Sequence, residues 1–276
     1  MKHKYVDLHV HSYFSDGSLS PEELAFEADK NGVGLLALAD HDVTEGNTRL
    51  RSACAGYGIQ TISAVEIDAI DGDNNVHILA YGFDERDAVF ADFLSHTRFM
   101  LDESGVRLVD LMSVDYKSFS VADYMDFTYD RSLGGWKALH YLMEKGITAT
   151  LKEGVRYYAR YGMKYEQAGY PTIAAVAYRI KAAGGVSVLA HPGVVIGTDD
   201  IGSFTKELNR MIGYGLDGLE CYYPTHTDEV TQACLRYCTD NGLMITAGSD
   251  CHGVFGNARV GQTKTTPARL ALGNLY

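Results

Sequence analysis

Short β-branched and aliphatic runs recur along this chain, and most of them are separated by stretches with helical patterning. The runs are Tyr5 to Val10, Gly34 to Ala39, Ile59 to Val65, Val76 to Tyr81, Val186 to Ala190, Leu216 to Tyr222 and Leu243 to Ala247, each the length of a buried strand. Strands that alternate with helices are joined by crossovers, which implies a largely parallel sheet, either a barrel or an open doubly wound sheet. The first helix announces its own ends: Ser20 and Glu23 have the spacing of a capping box, Pro21 suits the first helical position, and Asn31-Gly32 supplies the stop. One connection breaks the rule. Asp71-Gly72-Asp73-Asn74-Asn75 is too short for a crossover, so the segments on either side of it are expected to form an antiparallel hairpin.

The middle of the chain, residues 86–170, lacks clear strands and reads as helix and loop, with a helix expected from Ser132 to Lys145 closed by Gly146. It divides the sequence into an α/β domain, 1–85 and 171–276, and a helical insertion, read either as a cap over the main site or as a helical subdomain used only for packing. No leader or membrane-spanning stretch is evident, so a cytoplasmic enzyme is the expectation. The five cysteines form no C-x-x-C pair and are expected to be reduced core residues. A formal net charge of -12 argues against extended nucleic-acid binding, which needs a basic footprint, but not against a small anionic substrate held through bound cations.

Ligand-type residues gather where the runs end. Asp7, His9 and His11 alternate along the first run, Asp40-His41-Asp42 follows the second, and Glu66 follows the third. His191-Pro192 and Asp250-Cys251-His252 follow later ones. His77 begins its run instead, yet an antiparallel return brings it back to the same rim. A register that sets it opposite Asp68 would put it on the face of Glu66. Parallel α/β proteins build their sites at the carboxyl ends of strands, so this distribution points to a metal centre there. His3, His96 and His140 fall outside the pattern.

At DLHVHSYFSDG (7–17), LADHD (38–42), Glu66, VHILAYG (76–82), AHPG (190–193) and GSDCHG (248–253), the sequence resembles the PHP family, named for polymerase and histidinol phosphatase. The resemblance implies a distorted (β/α)7 barrel with a helical insertion, and two or three divalent metals drawn from manganese, zinc, iron and magnesium. It implies that His9, His11, Glu66 and Asp250 hold the first ion. Glu66 would bridge to a second held by His77 and His191, and Asp16, His41 and His252 would hold a third. Many relatives carry histidine in place of Asp16, and the carboxylate favours a harder ion. The insertion is similar to that of relatives acting on nucleoside 5′-monophosphates, nucleoside 3′,5′-bisphosphates or the 5′ ends of short RNA. Arg131, Lys137, Arg156 and Arg160 are the phosphate-binding candidates by charge and location. The expected reaction is attack of a metal-bridged hydroxide on the phosphorus of a small phosphate monoester. His226 is expected to donate a proton to the leaving group or to bind phosphate, and Asp42 to serve as a nearby acid or to orient a ligand. A metal-dependent amidohydrolase is the rival activity, although no lysine ends a strand where a carbamylated bridge would be needed. A noncatalytic metal-binding module is the third reading.

Overall fold

The computed structural model describes residues 3–163, 168–197 and 200–276. Its fold is mixed α/β, with strands in two sheets. The first sheet is parallel, in the order β1 (Tyr5–Val10), β2 (Val33–Leu38), β3 (Gln60–Thr61). The second follows chain order through β4 (Ala64–Asp71), β5 (Asn74–Tyr81), β6 (Val186–Leu189), β7 (Gly218–Tyr222) and β8 (Met244–Ala247). It is antiparallel from β4 to β6 and parallel from β6 to β8.

The strand ladders do not close into the expected ring of seven. The run from Ile59 to Val65 divides between the sheets, because Gln60–Thr61 pairs with β2 whereas Ala64 begins the hairpin. The sheets meet instead through isolated bridges, Val10 with Cys251 and His41 with Glu66. Backbone bonds from Asp42 N–H to Glu66 O (2.8 Å) and from Asp250 N–H to His9 O (2.7 Å) reinforce these junctions. Asp42 and Asp250 both have φ 55°, a left-handed turn that takes the chain out of strand geometry and stops either ladder from continuing. The hairpin itself is as expected, turning at Gly72 (φ 61°) with Asp68 opposite His77.

Apolar residues of β1, β2, β5 and β6, among them Leu8, Leu35, Leu79 and Val188, pack between the sheets. The outer faces are covered by helices: α1 (Pro21–Lys30) and α2 (Glu45–Ala55) on the first sheet, α7 (Ile173–Ala182), α9 (Ile201–Ile212) and α10 (Asp228–Asn241) on the second. A short α8 (Pro192–Ile196) follows β6. All five cysteines are free and buried; the Cys221 and Cys238 sulfurs lie 3.8 Å apart in the largest core.

The middle of the chain holds α3 (Ala88–Ser113), α4 (Val121–Asp126), α5 (Lys137–Glu144) and α6 (Leu151–Arg160). Leu108, Met112, Tyr124, Tyr141 and Tyr157 give it a core of its own. It is not separate from the rest, because α3 also sends Phe90 and Leu94 into the core beneath the second sheet. The helix expected from Ser132 begins only at Lys137. Gly134 and Gly135, with φ 70° and 75°, separate it from a 3-10 turn at Arg131–Leu133. Among the described residues no helix is long and apolar enough to cross a membrane.

The capping box at α1 is formed in both directions, Glu23 N–H to Ser20 Oγ (3.1 Å) and Ser20 N–H to Glu23 Oε2 (2.7 Å). Ser20→Ala removes the acceptor for Glu23 N–H and is expected to cost about 1 kcal/mol. For a chain of this size that lowers the thermal midpoint by about 2 °C in calorimetry.

Candidate metal centre

β1 delivers His9 and His11 to the rim where the sheets meet, and β4 and β5 bring Glu66, Asp68 and His77 to one face through the Asp68–His77 register. The turns after β2, β6 and β8 add His41, His191, Asp250 and His252. His191 is itself left-handed, with φ 30°. Three non-glycine residues with positive φ at one rim is a concentration of backbone strain of the sort that surrounding structure must hold in place.

Glu66 lies at the centre of five imidazoles. Its Oε2 is 3.2 Å from His9 Nε2, 3.2 Å from His11 Nε2 and 3.4 Å from His41 Nε2. Its Oε1 is 3.2 Å from His77 Nδ1 and 3.2 Å from His191 Nε2. Asp250 Oδ1 approaches His11 Nε2 at 3.1 Å, and Asp16 Oδ1 approaches His252 Nε2 at 3.2 Å. Three groups have ligand atoms within 4.8 Å of one another: His9, His11, Glu66 and Asp250; His41, Glu66 and His77; and His11, Asp16, His41 and His252. The second differs from the expected set by including His41, while His191 reaches it through Glu66 Oε1.

These residues fit divalent cations. His9 Nε2 and His11 Nε2 face each other across 3.1 Å, where two neutral rings have at most one proton to share. The buried Nδ1 atoms of His11 and His191 have no hydrogen-bond partner. A mixed imidazole and carboxylate donor set suits manganese, iron or zinc. The electrostatics also demand positive charge. Burial opposes ionisation of Glu66, yet His9, His77 and His41 hold its pKa well below the usual carboxylate range. Burial likewise opposes protonation of His9, but Glu66, Glu220 and Asp250 hold it well above an ordinary imidazole.

Two residues that the sequence analysis gave no role fix this cluster from behind. Glu220, fully buried in β7, has Oε1 3.0 Å from His9 Nδ1 and accepts the His191 backbone N–H through Oε2 at 2.9 Å. Asp68 lies 3.2 Å from His41 Nδ1 and 3.4 Å from His77 Nε2. Such carboxylates set the tautomer and the ring orientation of a metal-binding histidine. Their signals were present: Glu220 is a charge inside an apolar run, and Asp68 follows Glu66 at the strand period of two. Asp7, by contrast, turns away from the cluster and accepts N–H bonds from Ser249 (2.8 Å) and Gly261 (2.7 Å), which holds the segment after β8.

His226 does not have the geometry of the expected proton donor. Its Nδ1 is 3.2 Å from Cys221 O and its Nε2 accepts Gly193 N–H at 3.0 Å, so its one N–H is committed to backbone. Burial also lowers its pKa and keeps it neutral. Asp42 accepts Asp68 N–H at 3.2 Å; burial and the Asp68 charge push its pKa well up, and it braces Asp68 rather than lining the cavity. Arg131 donates to Phe14 O at 2.9 Å, while Arg156 and Arg160 lie over the Tyr157 ring, all three outside the cavity wall. Lys137 does line it. Of the histidines outside the pattern, His3 pairs with Asp29, His96 is exposed, and His140 is buried against Gly134 O.

The cluster floors a cavity of about 440 Å3 whose opposite wall comes from the helical segment. Residues 7–181, more than half of the chain, match the PHP domain family. The chain belongs to that family. Over 264 residues it is 28% identical to phosphoribosyl 1,2-cyclic phosphate 1,2-diphosphodiesterase of Eggerthella lenta, covering 91% of this chain and 95% of the relative. Over 273 residues it is 28% identical to 3′,5′-nucleoside bisphosphate phosphatase of Chromobacterium violaceum, covering 95% and 92%. The crystal structure of a candidate metal-dependent phosphoesterase from Bifidobacterium adolescentis superposes with a TM-score of 0.76 at 27% identity, covering 95% of this chain and 93% of the other. With its own histidine–carboxylate clusters, this PHP protein is a metal-dependent phosphoric ester hydrolase.

Glu220→Gln keeps the shape of the side chain but sets an amide NH2 against one of two donors. Its expected effect is a ~10- to 100-fold loss of manganese affinity with an unchanged circular dichroism spectrum, read by calorimetric titration of the metal-free protein.

Proposed function

We propose that this PHP protein hydrolyses a small phosphate monoester of the nucleotide type at the cluster on the cavity floor. The observation that carries the reading is the convergence of three ligand sets on Glu66 and His11 at one wall of a cavity sized for a small molecule. In this reading His9, His11, Glu66 and Asp250 would hold one divalent ion, and His77 and His191 would share Glu66 around a second. Asp16, His41 and His252 would hold a third. The two sheets serve as halves of a distorted barrel, and residues 86–170 as its cap. One named relative acts on a phosphoribosyl cyclic phosphate and the other on nucleoside 3′,5′-bisphosphates, which supports a phosphorylated sugar or nucleoside here.

Divalent ions held at this cluster would supply Lewis acidity towards phosphoryl oxygens and would lower the pKa of water towards neutrality. The chain itself sets the geometry before substrate arrives. Glu220 locks the His9 ring, Asp68 locks those of His41 and His77, and Tyr223 donates its hydroxyl to Asp250 Oδ2 at 2.8 Å, leaving Oδ1 turned to the cluster. Burial keeps the Tyr223 hydroxyl protonated, with its pKa well above that of an ordinary phenol, so it remains a donor to that carboxylate at neutral pH. Trp136 and Phe255 stand beside His41 and His252, with ring centroids 5.6 and 6.2 Å apart.

Manganese-loaded protein is expected to release phosphate from a nucleoside monophosphate, to lose that activity in chelator and to regain it with manganese. Glu66→Gln is expected to lower kcat/KM by about 10³-fold together with metal content. Full turnover in excess chelator, with elemental analysis showing no metal, would contradict the reading.

A further inference from the structure

Beyond the cluster, the cavity wall is mostly aromatic and aliphatic. Trp136, Tyr124, Leu139, Val155 and Tyr158 line it from α4 to α6, and Phe255 lines it from the segment after β8. Trp136 and Phe255 lie beside His41 and His252, so the apolar surface begins at the edge of the cluster. A ring carried by a phosphate seated on the cluster would lie against it.

This wall is held in a fixed position relative to the cluster. Gly135 donates to Asp16 O at 2.7 Å. A Cβ on Gly134 would come within 2.7 Å of Phe255 Cβ and 3.0 Å of Asp16 O, so the chain presenting Trp136 is pressed directly onto the loop that carries Asp16. From the other side the Arg98 guanidinium lies 5.4 Å from the centre of the Trp136 ring and donates to His41 O at 3.4 Å.

The described part of this wall carries few charges. Among the described lining residues outside the cluster, only Asp102 and Lys137 are charged. Asp102 pairs with Arg98 at 3.3 Å, and Lys137 donates to Met125 O at 3.0 Å while lying 4.9 Å over the Tyr124 ring. A second phosphate is best recognised by a guanidinium fork or by several cations together, and the described wall offers it the Lys137 ammonium alone, whereas a flat uncharged ring gains from stacking and desolvation over the whole of this surface.

We infer that this chain selects phosphate monoesters that carry one phosphate and a flat uncharged ring, over esters with a second phosphate, and that Trp136 is a specificity-determining residue. The inference rests on the phosphoesterase reading above and narrows it.

Three ribose 5-phosphates separate the contributions: AMP, ribose 5-phosphate, which lacks the ring, and adenosine 3′,5′-bisphosphate, which adds a phosphate. With the manganese-loaded full chain, kcat/KM for AMP is expected to exceed that for each of the others by about 10-fold or more. Trp136→Leu is expected to reduce the ratio of AMP to ribose 5-phosphate by about 10-fold, through KM. Val155 is 55% exposed on α6, so Val155→Lys adds a cation to the wall without disturbing a core; the bisphosphate should gain about 10-fold relative to AMP. Trp136 is the only tryptophan in the chain, so its fluorescence reports occupancy of the wall directly: AMP should quench it and ribose 5-phosphate should not. This measurement needs no variant. A preference for the bisphosphate over AMP in the unaltered chain overturns the inference, as does equal handling of AMP and ribose 5-phosphate. Quenching by AMP with no phosphate release from any of the three would sustain the ring site and sink the phosphoesterase reading. Neither quenching nor release would sink both.

Discussion

A buried carboxylate surrounded by five imidazoles is the constraint on which the rest of this molecule depends. Burying Glu66 among His9, His11, His41, His77 and His191 is costly unless the charges are paired. The pairing is partial: Glu66 and Asp250 are held strongly ionised, His9 and His77 strongly basic, and the buried Nδ1 atoms of His11 and His191 make no hydrogen bond. Such a cluster is stable only where surrounding structure keeps it together, and its natural complement is a cation.

The fold supplies that restraint at two levels. Carboxylates behind the cluster, Glu220 and Asp68, fix the far nitrogens of His9, His41 and His77. The backbone at Asp42 and Asp250 is turned left-handed where the two sheets meet, so the residues that break the ladders are those beside or within the cluster. The gap between the sheets and the position of the site thus share one cause: strands that continued into a closed ladder would direct these side chains elsewhere.

The helical segment is coupled to the cluster and shares its core with the α/β part through α3. Gly135 bonds to Asp16, and Arg98 bonds to the carbonyl of His41. Both links reach residues of the third ligand group, so the wall that would meet the leaving group and the cluster that would meet the phosphate are parts of one packed unit.

Much of the site was legible in sequence because its residues sit at strand ends, where the period of two and the strand direction determine where side chains go. That logic placed His9, His11, Glu66, Asp250 and, through the hairpin, His77 together, and the capping signals gave the limits of α1. It failed where position depends on what a side chain meets across the fold. His226 has the right chemistry for a proton donor, but its ring is pinned between Gly193 and Cys221. Arg131 and Arg160 carry the right charge, but they lie outside the cavity, whereas Trp136, ordinary in sequence, stands beside His41. The division of the Ile59 to Val65 run between two sheets and the bracing roles of Glu220 and Asp68 are likewise tertiary. Local periodicity determines which residues share a face; only packing over distances of tens to hundreds of residues decides which faces meet.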